Sequence, residues 1–254
     1  MRKIAFTIAV LLSFVVSGQD QGEITYITKI DMHAGLPNDA NGEMIRKMIP
    51  QYQEMKSTLI FTKTESLYQP GEGSGTFEEK REDEEGNDFD IKIRMDAPDE
   101  KIYTDVVNGL VVEQKDLMGK IFLIRDTINP AEWKITGDSK MVSGLNCQKA
   151  TMQTEEGLVE AWFTAQIPVS AGPAGFGGLP GMIVYISMDD GKIQITAGSI
   201  VPRTVENGEI REPKKGKEIS REKYAKLEEK KREQMKKQFG GGEGGNVIIV
   251  TEEK

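Results

Sequence analysis

Apolar residues change their spacing several times along this chain, and each change predicts an element. Residues 4–16 are apolar apart from Thr7 and Ser13, follow Arg2 and Lys3, and lead into Val16-Ser17-Gly18. A basic start, a short apolar run and small closing residues are the three parts of a secretory signal peptide. The run is shorter than the roughly 20 residues of a membrane span. Residues 1–18 are therefore expected to be cleaved after about Gly18 rather than kept as an anchor. No Cys follows the run to carry a lipid, and no later stretch is apolar enough to span a bilayer.

Beyond this leader, residues 23–30 (EITYITKI) are rich in β-formers. Residues 41–55 carry helical spacing instead. Met44, Ile45, Met48, Ile49 and Tyr52 fall on one face, Asn41 can cap the start, and Pro50 kinks or ends the helix. Residues 58–68 return to alternation, with Leu59, Phe61, Lys63 and Glu65 on one side and Ile60 and Tyr68 on the other. Residues 71–90, with GEGSG and EEKREDEEGND, read as an acidic flexible loop. They lack the spacing of acids, central Gly and terminal Glu that a calcium-binding EF-hand loop needs.

Hairpin signals follow. Asn108-Gly109 between two β-branched runs predicts a two-residue type I′ turn, where both residues take positive φ. Residues 120–125 and 133–136 are short strands, and Glu156-Gly157 joins 147–154 to 158–164. Asp190-Gly191 joins 182–188 to 192–197, where Ile193, Ile195 and Ala197 alternate with Lys192, Gln194 and Thr196, as in a sheet with one wet face. Strands at this spacing predict a mainly β (α+β) fold. The expected form is a curved antiparallel sheet or partial barrel, with one helix in the N-terminal half and a C-terminal helix.

Residues 220–239 predict that second helix, capped by Ser220 and ended at Gly240, with Glu222–Lys226, Glu228–Arg232 and Glu233–Lys237 as favourable pairs. Its apolar positions, Tyr224, Leu227, Met235 and Phe239, are too sparse for a full stripe. It is expected to project or dock weakly, or to serve as a partner-binding helix. Residues 240–245 are a Gly-rich linker, and Val247-Ile248-Ile249-Val250 either adds to a sheet edge or stays disordered. The expected organisation is a signal peptide at 1–18, a β domain at 19–202 and a charged helical tail at 203–254.

Composition narrows the function. The chain has 254 residues, 37% of them hydrophobic and 29% charged, and a net charge of −8. The hydrophobic share is below the globular norm, which the 71–90 loop and the tail account for. The net charge hides a contrast: residues 19–202 carry −13 and residues 203–254 carry +3. An acidic body does not favour nucleic acid. With one His and one Cys, the chain lacks the ligands of a structural zinc site and cannot form an internal disulfide. Cys147 lies in an expected strand, and His33, the sole imidazole, sits far away in HAGLPNDA. A buried inert thiol is the reading for Cys147. Trp133, Cys147, Trp162 and Phe163 line either a ligand groove or the core, core being favoured for the two Trp.

Residues 167–183 read IPVSAGPAGFGGLPGMI. No Lys-Ser or Lys-Thr follows the glycines and a strand comes next, which excludes a phosphate-binding loop. Leu179-Pro180-Gly181-Met182 has the Pro and Gly positions of a type II turn. Phe176, Gly177, Gly178, Leu179, Pro180, Gly181, Met182 and Ile183 form a structural turn in this reading. This segment resembles the GLPGLI family of exported bacterial proteins, typical of Bacteroidota, with Met182 in place of the family's Leu. Trp133-Lys134-Ile135-Thr136, Cys147-Gln148-Lys149-Ala150, Ala161-Trp162-Phe163-Thr164, Ile167-Pro168 and Gly172-Pro173 stand in the order the family shows. The resemblance implies a β-rich exported protein of unknown function, with no catalytic residue, metal or cofactor to carry over. It also implies a link to outer-membrane transport loci.

Two functions stay open. The first is a non-catalytic binding or accessory protein of the periplasm or cell envelope, holding an apolar ligand or an envelope protein partner. The second is a carboxylate-dependent hydrolase, which needs two acids facing a cleft. The absence of a catalytic constellation favours the first.

Overall fold

The computed structural model describes residues 19–71, 76–82, 88–94, 100–129, 131–154, 157–239 and 249–251. The expected signal peptide and the Gly-rich linker at 240–245 lie outside these residues. In chain order the elements are β1 (Gly22–Asp31), α1 (Ala40–Met48), β2 (Tyr52–Phe61), β3 (Glu65–Pro70), β4 (Thr76–Glu82), β5 (Asp88–Arg94), β6 (Lys101–Asp105), β7 (Leu110–Leu117) and β8 (Lys120–Thr127). They continue with β9 (Lys134–Val142), β10 (Leu145–Thr154), β11 (Gly157–Thr164), β12 (Met182–Met188), β13 (Ile193–Pro202), β14 (Lys217–Glu218), α2 (Arg221–Phe239) and β15 (Ile249–Thr251). Short 3-10 turns occupy Pro173–Gly175 and Asp189–Gly191.

Among the described residues the fold is mainly β. Twelve strands form one open sheet in the order β14-β8-β7-β6-β3-β2-β1-β13-β12-β11-β10-β9, and β15-β5-β4 form a second sheet. Most neighbours in the large sheet are sequential hairpins, as the turn signals require. The sequential order is broken where β13 pairs with β1, which places the first strand in the middle of the sheet, between β2 and β13. The pairings are antiparallel except at β14, which lies parallel to β8.

Several local expectations give way to specific causes. The helix ends at Met48 and not at residue 55, because Ile49, which precedes Pro50, is extended (φ −119°, ψ 148°). Tyr52 then opens β2 and is exposed, as is Met44. Asp39 caps the helix in place of Asn41, its Oδ1 accepting the Gly42 N–H at 2.9 Å. Residues 58–68 are two strands, since the Thr62 hydroxyl and backbone bond back to Glu65 and turn the chain at 62–64. Part of the expected 71–90 loop is β4 and β5, where the sequence DFDIKIR alternates apolar and charged residues as a strand can.

The type I′ geometry falls elsewhere than expected. Asp105 and Leu110 close a four-residue turn in which the Asp105 carboxylate accepts from the Val107 and Asn108 amides. The two-residue turns with paired positive φ are Met118-Gly119 (54° and 78°) and Ser143-Gly144 (50° and 80°). A Gly at the second position was their sole sequence mark.

The main core joins β1, β2 and β10–β13, with Ile24, Tyr26, Phe61, Phe163, Ile183 and Ile186 buried at its centre. The far end of the sheet, β6 to β8, is covered on both faces by one downstream segment. Ile210 packs on Leu67, Tyr103, Val112 and Leu123. Tyr224 and Leu227 of α2 pack on Phe122 and Ile124. Residues 122 and 124 point away from 123 because strand side chains alternate, so the segment from 203 to 227 wraps the sheet edge. β14 pairs with that edge on the way. Arg203 bridges Glu23 and Glu209, and Arg221 bridges Glu113 and Asp126 at 2.8 and 2.7 Å. α2 is thus anchored through its first two turns, where weak docking or projection was expected; Tyr224 is 5% exposed.

Candidate functional site

The most distinctive sequence of the chain lies in the loop between β11 and β12. Thr164 ends β11, the loop passes over the sheet, and Met182 starts β12. The return is tight. A Cβ on Gly181 (φ +156°) would sit 2.2 Å from the Thr164 carbonyl oxygen, so only Gly fits there. The expected type II turn is replaced by a γ-turn: the Gly181 N–H donates to Leu179 O at 2.8 Å across Pro180. The same i to i+2 bond recurs around Pro168 and Ser170. The loop then pairs with its own continuation, Met182 N–H to Ile167 O and Ile183 N–H to Ala171 O, both at 2.9 Å.

Its side chains point into the core. Ile167, Val169, Leu179, Met182 and Ile183 are buried, and Gly175 lies against the Ile102 methyls of β6. Trp133 fastens the outside: its indole N–H donates to Gly177 O at 2.8 Å and its ring lies 6.2 Å from Phe176. Gly178 takes φ +89° and donates to the Ser170 hydroxyl at 2.9 Å. Tyr26 reaches across from β1 to donate to Ile183 O at 2.6 Å, and burial pushes its phenol well above the usual range. The loop acts as a packed strap.

The other residues singled out by sequence are placed as follows. Phe163 and Cys147 are buried in the main core. The Cys147 thiol is pushed up by burial, which makes thiolate formation harder, and bonds Leu145 O at 3.4 Å. His33 donates from its ring to Ile49 O at 3.0 Å, in the turn after β1, at the opposite end of the strands from Cys147. Trp162 is 6% exposed on the other face of the sheet from Ala161. Its N–H donates to Glu160 at 2.7 Å, and the Lys140 ammonium lies 4.0 Å over its ring. Burial pushes the Glu160 carboxyl up, but Lys149 at 2.6 Å and the Trp162 N–H outweigh it and hold it below the usual range. These residues support one another, and of the four named as groove or core, Cys147, Trp162 and Phe163 belong to the main core and Trp133 packs against it.

Several of the described carboxylates are engaged. Glu23 and Glu209 hold Arg203, Glu113 and Asp126 hold Arg221, Glu212 holds Arg125, and Glu65 accepts from Tyr103. Glu100 is pushed up by burial, with Lys115 opposing and Glu113, Glu228 and Asp116 adding, so that these four acids share one neighbourhood. Glu100 lines neither of the two cavities described next. No cluster of three metal-ligating side chains occurs among the described residues. One cavity, of about 80 Å³, lies under the strap beside the 62–66 turn. The other, of about 550 Å³, is an open cleft between β8 and residues 217–223, which sequence reasoning missed because it exists only where the tail meets the edge. Among the described residues no helix is long and apolar enough to cross a membrane.

Fold and strap together describe a mainly β protein on an open twelve-stranded sheet. A family model described as "Protein of unknown function (Porph_ging)" matches residues 152–185, from β10 through the strap into β12. No curated protein matches the chain. Among solved structures, PNGF-II, determined in C2 and P21 crystal forms, is similar with a TM-score of 0.52 in both cases. Identity is 16% and 15%, and 84% of this chain is covered. The chain spans about a third of PNGF-II, 33% and 34%. At that identity the likeness speaks for the fold.

Proposed function

We propose that this is an exported, non-catalytic binding or accessory protein of the periplasm or cell envelope, of the GLPGLI type. The observation that carries the reading is the strap: the segment with the strongest sequence signature spends its side chains and amides on closing the sheet. That leaves the surface to do the work. The leader-like residues 1–18 support export. The family-model match overlaps Gly178-Leu179-Pro180-Gly181-Met182-Ile183 and supports the GLPGLI resemblance. PNGF-II carries a similar fold within a longer chain, which supports reading the fold as a module.

The large sheet is also curved in this reading. Ser143, in the β9–β10 turn, donates to Ala197 O on β13 at 2.5 Å. A flat sheet would hold strands three places apart at about 14 Å. The hydrolase reading is the weaker one, because several of the described acids are held by Arg203, Arg221 and Arg125.

The test is expression of the whole chain in a Gram-negative host, with fractionation, N-terminal sequencing and cross-linking. The expected result is envelope protein beginning near Gln19 and cross-linked to an envelope partner. Cytoplasmic protein that keeps Met1, or turnover of a glycan or ester panel lost on changing one Asp or Glu, would overturn it.

A further inference from the structure

The cleft of about 550 Å³ beside β8 has the wrong sign for this protein. The body at 19–202 carries −13, yet the cleft is lined by Lys217 and Lys223 against Glu218, with Arg125 already paired to Glu212. Lys217 and Lys223 are exposed. The first turn of α2 is already served by Ser220, whose hydroxyl accepts the Lys223 amide at 3.4 Å, and by Glu222, held low first by its own backbone N–H. The cationic groups the cleft offers are therefore the Lys217 and Lys223 side chains and not the helix end. The volume falls within the range of about 300–1,000 Å³ usual for ligand sites.

The floor of the cleft is a strand edge. β14 pairs with Phe122 and Leu123 of β8, and the Ile219 N–H donates to Leu123 O at 3.0 Å before the chain turns away into α2. Backbone groups on a strand alternate sides, so Arg125 and Thr127 present theirs on the same edge as Leu123. Asp126 takes the Thr127 amide with its own carboxylate. The edge at Arg125 thus lies beyond the reach of β14 and opens on the cleft, whose lining includes Arg125.

We propose that this cleft is the docking site for an acidic peptide in extended conformation. The peptide continues the edge of β8 where β14 leaves it, and its carboxylates face Lys217 and Lys223. Backbone pairing supplies register and the lysines supply the preference for acids. The proposal deepens the binding reading above by naming a partner chemistry, but it does not depend on export, so either can fail alone.

The test uses the full chain and a synthetic peptide of about eight residues alternating Glu with Val or Thr. Binding is followed by fluorescence anisotropy and by backbone amide shifts at Arg125 and Glu218. The expected result is saturable binding that weakens at least about tenfold in the Lys217→Glu/Lys223→Glu variant. The same loss is expected when alternate peptide amides are N-methylated, which removes edge donors and keeps the charge. Both lysines are exposed, and unchanged circular dichroism and thermal midpoint would show that the variant folds. Absence of saturable binding would overturn the proposal. So would equal binding of the N-methylated peptide or of inorganic polyphosphate, which would mark the cleft as an electrostatic surface only.

Discussion

The two ends of the large sheet are closed by different means. At the β10–β13 end, the strap is inserted between adjacent strands, is almost entirely apolar, and is fixed by backbone bonds and tight glycines. At the β6–β8 end, cover comes from residues 203–227, well downstream, which wrap both faces and are pinned by arginine pairs. The first closure is local and dry; the second is distant and charge-assisted. The strap belongs to the core, and removing it leaves β11 and β12 without a shared interior. The tail lies against a finished hairpin stack, and its release is expected to cost less and to be felt locally.

The contrast can be broken most sharply at Gly181. Gly181→Ala places a methyl against the Thr164 carbonyl and is expected to cost about 3 kcal/mol or more. Urea unfolding should show one cooperative loss involving both ends of the sheet. Tyr224→Ala removes the ring that packs edge-on at 5.8 Å against Phe122. It is expected to cost about 2–3 kcal/mol. Hydrogen exchange should rise in α2 and β14 while β10–β13 stay protected; equal rises at both ends would erase the distinction.

A smaller effect separates the strap's polar fastening from its packing. Trp133→Phe keeps a ring on Phe176 and loses the bond to Gly177 O, which should lower stability by about 1 kcal/mol in thermal unfolding. The smallest effect is pH dependence of the tail. Hydrogen bonding from Arg221, then from the Thr127 amide, holds the Asp126 carboxyl below its usual value. Its contribution is then full above the unfolded value of about 3.9 and is lost as pH falls through the lower folded value. Exchange measured from neutral pH downward should loosen α2 before β10–β13, and salt should weaken α2 at neutral pH as well, since the Arg221 side chain is 41% exposed.

The difference between the ends also separates what sequence reasoning could reach. β-formers and turn signals located β1, β8, β10, β11 and β12, alternation located β13, and the glycines and prolines of 167–183 marked a fixed turn. Turn geometry was less accessible. Asn108-Gly109 has the composition of a type I′ turn, yet the Asp105 carboxylate caps a longer loop, while Met118-Gly119 and Ser143-Gly144 take the paired positive φ. Pro180-Gly181 suggested a type II turn, and the Thr164 carbonyl behind it imposed a γ-turn. Each outcome depends on a neighbour that local spacing does not specify.

Local pattern alone determined the β class of this protein, its second helix and the residues of the strap, because side-chain periodicity and backbone restriction act over a few neighbouring positions. Only the tertiary structure decided that a basic tail closes an acidic body. Charge counted along the chain separates 203–254 from 19–202, whereas Arg203 beside Glu23 and Arg221 beside Glu113 meet across the fold. The cleft beside β8 arises the same way, since its walls come from strands and a helix about a hundred residues apart and exist only once hydrophobic burial of Tyr224 brings them together.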